Sequence, residues 1–367
     1  MKISVLISRF QVSGVPLAQM RLARALARRG HMVELVVGYL ESEWNLAALE
    51  GLEVRLLGKP KVRGMLLLLT RYLANEKPDV VFSAEDHLNT IILLAAILSG
   101  SKAKISGSSR VTPFDTYSNT WFSKRWILKQ LSRAVMWRAD ALTCVSKDMV
   151  DQYREVFFSP PHVCVYNIVD DAPARMRMLE PTEHPWIVRK EGPLLIAAGT
   201  LAPWKGFADL IRAVGILTVR RPARLLILGG GPLREELQGL VYALGLSDRV
   251  ELLGYVSNPL KFFSKAEVFV LSSLVEGLPN VLVEAMMCGC TPVSTNCPTG
   301  PREVLKDGEY GYLVPVGDPE AMAAAIEKAL DSPIPRQLLD KAVAPFGEQR
   351  VIDRHFEVLG LCEELST

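Results

Sequence analysis

The sequence predicts an α/β protein built from two doubly wound, Rossmann-like domains. Three observations carry this. The chain has 367 residues, roughly twice what one ordinary core requires. Short β-branched runs alternate with stretches of helical period. The alternation lapses once, over the Pro- and charge-rich interval 171–192. The expected domains are therefore 1–170 and 193–345, joined by a linker at 171–192, with a C-terminal helix in 346–367 packing back on the first domain.

The first domain opens with a strand over 3–7, a loop over 8–16 and a helix over 17–29. Strand, glycine-bearing loop and helix are how a doubly wound sheet begins. Further strands are predicted over 33–37, 53–57, 80–82, 104–106, 142–145 and 163–166, with helices over 65–75, 88–98, 121–138 and 147–156. After the linker the same grammar returns, with strands over 194–198, 224–228, 250–252, 268–271 and 291–294 and helices over 207–219, 233–244 and 280–287. A final helix is predicted over 349–365. Ligands of such sheets bind in the crevice at the carboxyl ends of the strands. The two domains are accordingly expected to face a central cleft.

Composition fits a globular protein, with 49% hydrophobic and 22% charged residues. The longest wholly apolar run, 91–98, is far shorter than the ~20 residues a membrane-spanning helix needs. The opening MKISVLIS, followed by Arg9 and Gln11, lacks the pattern of a secretory signal. The expected location is the cytoplasm. Six cysteines, Cys144, Cys164, Cys288, Cys290, Cys297 and Cys362, form no CxxC pair and accompany no paired histidines at metal-ligand spacing, so they read as reduced, mostly buried residues. Net charge is +2 but unevenly divided: residues 1–170 hold 22 basic against 15 acidic side chains, and the remainder 20 against 25. Such an excess on the first half points to an anionic partner there.

The chemistry concentrates in the second half. In EGLPNVLVEAMMCG, Glu276 and Glu284 bracket seven residues, and a helix begins between them at Pro279 or Asn280. Free N–H groups at that start, from Asn280, Val281 and Leu282, suit a diphosphate. Glu276 precedes the helix, and Glu284 lies one turn inside with its side chain tilted back toward the start, so both carboxylates can meet one polyhydroxyl ligand. Alone, the pair would read as an acidic helix start and an exposed helical glutamate. It is not alone: GTLAPWKGFADLIRA places Lys205 after a buried strand at a helix entrance, where an ammonium can meet phosphate, and LLILGGGPLREEL adds a glycine loop at Gly229, Gly230 and Gly231. In the first half Gly14, His87 and Arg110 sit near expected strand ends.

On these motifs the chain resembles retaining glycosyltransferase family 4, of the GT-B fold, over nearly its whole length. SGVPLAQMRLARALARRGHMVELVV, ADALTCVS, VYNIVD, GTLAPWKG, LLILGGGP, VELLGY and AEVFVLSSLVEGLPNVLVEAMMCGCTPVSTNCPTGPREVL carry the resemblance, and the last is closest to bacterial enzymes of lipid-linked or surface polysaccharides. The resemblance implies transfer from a nucleoside diphosphate sugar, UDP-sugar by family frequency, to a glycan or polyprenyl-diphosphate-linked acceptor. It implies Glu276 near the donor sugar, Glu284 on the ribose and Lys205 on the diphosphate, with Gly14 letting its loop approach the ligand, His87 orienting the donor or sharing a proton, and Arg110 on an acceptor phosphate. Catalysis would rest on stabilising the departing diphosphate and on positioning. Thr200 stands where the family usually has an arginine. No metal or other cofactor is expected, and no nucleic-acid partner.

Other classes share this grammar. An NAD-dependent oxidoreductase would need a GxGxxG loop, and residues 8–16 contain only Gly14. A sugar-nucleotide epimerase of GT-B fold, or a nucleotide-sugar binding protein with weakened activity, remains open. The segment TWFSKRWILKQLSRAVMWRAD interleaves Trp121, Phe122, Trp126, Ile127, Leu131 and Val135 with Lys124, Arg125, Lys129, Arg133 and Arg138. Residues 120–139 are therefore expected to dock on an anionic membrane, the inner face of the cytoplasmic membrane, unless the helix simply buries its apolar face.

Overall fold

The structure, a computed structural model, describes residues 1–10, 14–40 and 49–361. It divides into two compact units, Met1–Ile168 with Glu348–Thr367, and Val169–Gly347.

The first unit holds seven parallel strands: β1 (Lys2–Phe10), β2 (Met32–Leu40), β3 (Glu53–Leu56), β4 (Val80–Ala84), β5 (Lys104–Ser109), β6 (Ala141–Cys144) and β7 (His162–Cys164). Their order is β3-β2-β1-β4-β5-β6-β7, with Ile3 opposite Val80 and Val33. Parallel strands covered on both faces read as near-continuous apolar runs, and β1 is buried from Ile3 through Ile7. Alternate residues feed two cores. Ile3, Val5 and Ile7 pack with Leu22, Leu26, Ile352 and Phe356. Leu6, Val36 and Val81 pack with Leu69, Leu73, Leu88 and Ile92. The helix Glu348–Val358 is thus part of this unit's core, and Arg28 pairs with its Glu348 at 2.5 Å and Arg29 with its Asp353 at 2.7 Å.

The second unit holds β8 (Leu194–Ala198), β9 (Arg224–Leu228), β10 (Val250–Gly254), β11 (Val268–Leu271), β12 (Thr291–Thr295) and β13 (Tyr312–Val314), parallel in the order β10-β9-β8-β11-β12-β13. The strand order reverses between β1 and β4 in the first sheet and between β8 and β11 in the second, so each unit has one switch point.

Several elements differ from their sequence reading. The interval expected as a linker belongs to the second unit and carries helices Ala172–Arg177 and Pro185–Val188. Each has a proline in its first turn, Pro173 second in one helix and Pro185 first in the other, and Asp171 and His184 cap them. Strand β13 and the helices Pro319–Asp331 and Arg336–Val343 were not anticipated. The expected helix over 121–138 is shorter, Lys124–Val135 followed by a tight 3₁₀ turn Met136–Arg138. The last helix ends at Val358, and 362–367, with Cys362, lie outside the described residues.

Candidate active site

At the switch point of the second sheet, the loop leaving β8 meets the loop leaving β11. Lys205 Nζ donates to Glu276 Oε1 at 2.6 Å, and both side chains are largely withdrawn from solvent. Ser273 Oγ donates to the same carboxylate oxygen at 2.6 Å, and the Thr299 hydroxyl donates to the Glu276 carbonyl. The backbones are tied as well: Ser272 Oγ donates to Lys205 O at 2.8 Å and Leu274 N–H to Trp204 O at 2.8 Å. Two residues 71 apart in the chain are thereby held as one ion pair.

The helix Asn280–Cys288 starts directly after Pro279. Its entrance is tighter than the sequence implied. Asn280 N–H turns back to Leu278 O and Leu282 N–H to Pro279 O, each at 2.9 Å, because Pro279 at φ −78, ψ 81 folds the chain sharply into the first turn. Among the described residues, Val281 N–H is left without an acceptor. Glu284 lies one turn inside the helix and is half-exposed.

The glycine loop after β9 packs against the one after β8. A Cβ on Gly229 would stand 1.9 Å from Gly199 O, and one on Gly231 2.5 Å from Leu201 O, so backbone contact excludes side chains there. Gly230 differs: a Cβ would meet nothing within 4 Å, and its carbonyl accepts from Leu201 N–H at 2.9 Å. Thr200, between these contacts, is exposed.

In the first unit, Gly14 opens the helix Gly14–Arg28, with no heavy atom within 4 Å of the site of its Cβ; residues 11–13 before it lie outside the described residues. His87 is exposed in the first turn of the helix Asp86–Ser99, its Nε2 3.5 Å from Glu85 Oε2. Arg110 is drawn inward: its guanidinium donates to Asn167 Oδ1 and, at 3.0 Å, to Gln19 Oε1, while Nε has no partner among the described residues. Burial lowers its pKa to about 10. Sequence reading missed Ser273, Thr299 and Glu85: a serine three residues from Glu276 is indistinguishable from any loop serine, Thr299 arrives from a separate loop, and Glu85 becomes visible only through its backbone.

The cysteines that the structure describes are all free. Burial pushes the Cys288 thiol up to about 12 and Cys297 up to about 11, which removes their nucleophilicity. Among the described residues no three His, Cys, Asp or Glu side chains cluster as metal ligands.

Two doubly wound units, the second presenting a cation, a carboxylate and a helix entrance at its switch point, define an α/β protein of the Rossmann-like, ligand-binding class. Comparison with known proteins narrows the class. The profile described as "Glycosyl transferase 4-like domain" matches residues 13–167, and that described as "Glycosyl transferases group 1" matches 182–344. In Campylobacter jejuni, N-acetylgalactosamine-N,N'-diacetylbacillosaminyl-diphospho-undecaprenol 4-alpha-N-acetylgalactosaminyltransferase is 31% identical over 255 residues, 69% of this chain and 67% of that protein. A second Campylobacter jejuni enzyme, GalNAc-alpha-(1->4)-GalNAc-alpha-(1->3)-diNAcBac-PP-undecaprenol alpha-1,4-N-acetyl-D-galactosaminyltransferase, is 28% identical across 99% of this chain and 97% of its own length. The chain spans about half to two thirds of the length of several further curated relatives it matches. Anabaena HepE in complex with UDP shares the fold with a TM-score of 0.76 at 18% identity, covering 99% of this chain and 100% of that one. The chain belongs to the glycosyltransferases of the GT-B fold.

Proposed function

We propose that this protein is a retaining glycosyltransferase that moves a sugar from a nucleoside diphosphate donor, a UDP-sugar first among them, to a glycan or polyprenyl-diphosphate-linked glycan in bacterial polysaccharide or glycoconjugate assembly. The observation that carries it is the Lys205–Glu276 pair at the switch point, in the loop that leads into the helix Asn280–Cys288. In the absence of ligand the pair keeps one cation and one carboxylate in place. With a donor bound, the Lys205 ammonium and the Val281 N–H meet the diphosphate, Glu276 accepts from hydroxyls of the transferred sugar, and Glu284 from the ribose. The diphosphate leaves and the acceptor hydroxyl attacks from the same face, its proton passing to the departing phosphate oxygen. No metal takes part: with Thr200 in place of the family's arginine, the charge on the leaving group falls to Lys205 and backbone N–H groups. The relatives support the acceptor and donor kinds: the first Campylobacter enzyme's name specifies a diphospho-undecaprenol acceptor, and the HepE structure holds UDP.

The test is a thermal-shift panel of UDP-, GDP- and ADP-sugars, in which the true donor at 100 times its dissociation constant adds about 2.7 kcal/mol. Lys205→Ala is expected to weaken UDP much more than uridine, and Glu276→Gln to lower kcat by roughly 10²–10³-fold with the fold intact. Equal losses of UDP and uridine would remove Lys205 from the diphosphate.

A further inference from the structure

At the end of β4 the chain turns through Glu85 with φ 77 and ψ 129. An L-residue is strained there, and glycine would relieve it. Nothing in the local backbone calls for glutamate. Its N–H donates to Ser108 O and its carbonyl accepts from Asn89 N–H, both at 2.9 Å, bonds any residue can make. Its side chain makes no cap bond to the helix that follows. Strain kept at a position where the backbone bonds do not require this side chain turns attention to the carboxylate itself.

The carboxylate is hydrogen-bonded through one oxygen, with the Arg110 charge within electrostatic reach. Oε2 accepts from the Ser8 hydroxyl on the adjacent strand β1 and lies 3.5 Å from His87 Nε2. Oε1 has no partner among the described residues, and the side chain is 31% exposed. Glu85 therefore presents one free oxygen between the carboxyl ends of β1 and β4, the switch point where ligands of open α/β sheets bind. A carboxylate repels phosphate and accepts from hydroxyls. The ligand group that fits is a neutral polyol.

We propose that Glu85 positions the acceptor: its Oε1 accepts a hydrogen bond from a sugar hydroxyl of the acceptor glycan, and Ser8 and His87 hold the carboxylate for it. This rests on the transferase reading for its name of acceptor, while sugar binding by Glu85 can be measured separately.

The experiment uses the full chain with UDP present and a panel of methyl glycosides of glucose, galactose, N-acetylglucosamine and N-acetylgalactosamine, followed by saturation-transfer NMR. The wild type is expected to bind at least one of them. Glu85→Gly should weaken that glycoside ~10-fold or more, Glu85→Gln less because its amide oxygen still accepts, and both should keep the UDP-induced thermal shift. Glu85→Gly should also melt at or above the wild-type temperature, which a purely structural glutamate would not allow. A wild type that binds none of the glycosides, or a Glu85→Gly variant that binds within threefold of wild type, overturns the assignment. Loss of the nucleotide response in the wild type instead overturns the donor reading and leaves the glycoside result to stand by itself.

Discussion

Gly206 stands at φ 62 with its missing Cβ only 2.1 Å from Ser272 O, so the loop that carries Lys205 and the loop that carries Glu276 touch through bare backbone. Gly206→Ala is expected to cost about 1–3 kcal/mol or more in unfolding free energy and to separate Lys205 from Glu276, weakening nucleotide binding. Gly230→Ala, whose Cβ enters open space, should keep the fold, and urea unfolding of the two variants side by side measures the contrast. A second residue-scale prediction concerns His355, which lies edge-on to Phe82 at 5.1 Å. Burial, with the Arg110 charge nearby, lowers its pKa to about 3, and burial lowers that of His162 to about 4. Both folded-state values lie below the unfolded ~6.5, so their contribution is complete above pH 6.5 and is lost as pH falls through 6.5 toward 4 and 3. Each contributes up to about 1.4 kcal/mol per pH unit in that window. Between pH 7.5 and 5, His355→Gln should therefore lose about 2 kcal/mol less stability than wild type, as read by denaturant unfolding; parallel losses would mean that His355 takes up its proton as readily in the fold as in the unfolded chain.

At the scale of elements, what the sequence made legible was what periodicity encodes. The strands β1, β8 and β11 and the helix Asn280–Cys288 fall close to their expected limits, because a buried parallel strand is a short apolar run and a helix entered at Pro279 is marked by that proline. The three-residue β13 is too short to show a period. The pairing of Lys205 with Glu276 was not legible, since it needs β8 beside β11 in the sheet, and strand order is a matter of crossovers rather than of local pattern. Both residues were nevertheless singled out, as a charged side chain after a buried strand is unusual wherever it lands. Glu85 was missed for the opposite reason: its sequence neighbours look ordinary and its φ is set by how β4 leaves the sheet. The segment around residue 130 shows a third limit. Lys129 and Val135, read as part of a docking face, are buried, and Lys129 donates to Asn119 Oδ1 at 2.7 Å, because the side of the helix Lys124–Val135 that carries them packs inward. Arg138 is likewise engaged, on the carbonyls of Ser101 and Ala103.

For the molecule as a whole, what remains exposed on that helix bears on a membrane surface as a partner. No helix among the described residues is long and apolar enough to cross a membrane. Yet Trp121 and Phe122 are 74% and 78% exposed, Phe122 sits at a strained φ of 60, and Trp121 stacks on Trp126 at 6.0 Å. Ile127 and Leu131 continue the exposed apolar stripe at helical spacing and Trp137 is exposed in the turn that follows, with the cations Lys124, Arg125 and Arg133 also exposed. Large aromatic residues held in water beside cations fit an interface of apolar chains and anionic headgroups. The excess of seven positive charges over residues 1–170 acts in the same direction. We propose that this face seats the protein on an anionic bilayer, the inner face of the cytoplasmic membrane, where a lipid-linked acceptor lies. Each cation near such a surface contributes about 1 kcal/mol, so removing two and reversing their sign should dissociate the protein. In flotation with vesicles of phosphatidylglycerol and phosphatidylcholine at low salt, the wild type should rise with the lipid, and Lys124→Glu with Arg125→Glu should stay below. Trp121→Ala with Phe122→Ala should weaken binding even at low salt, which charge attraction alone does not predict, while Lys129→Gln should change it little because that ammonium faces Asn119. A wild type that ignores these vesicles rules out the docking face and moves the acceptor into solution.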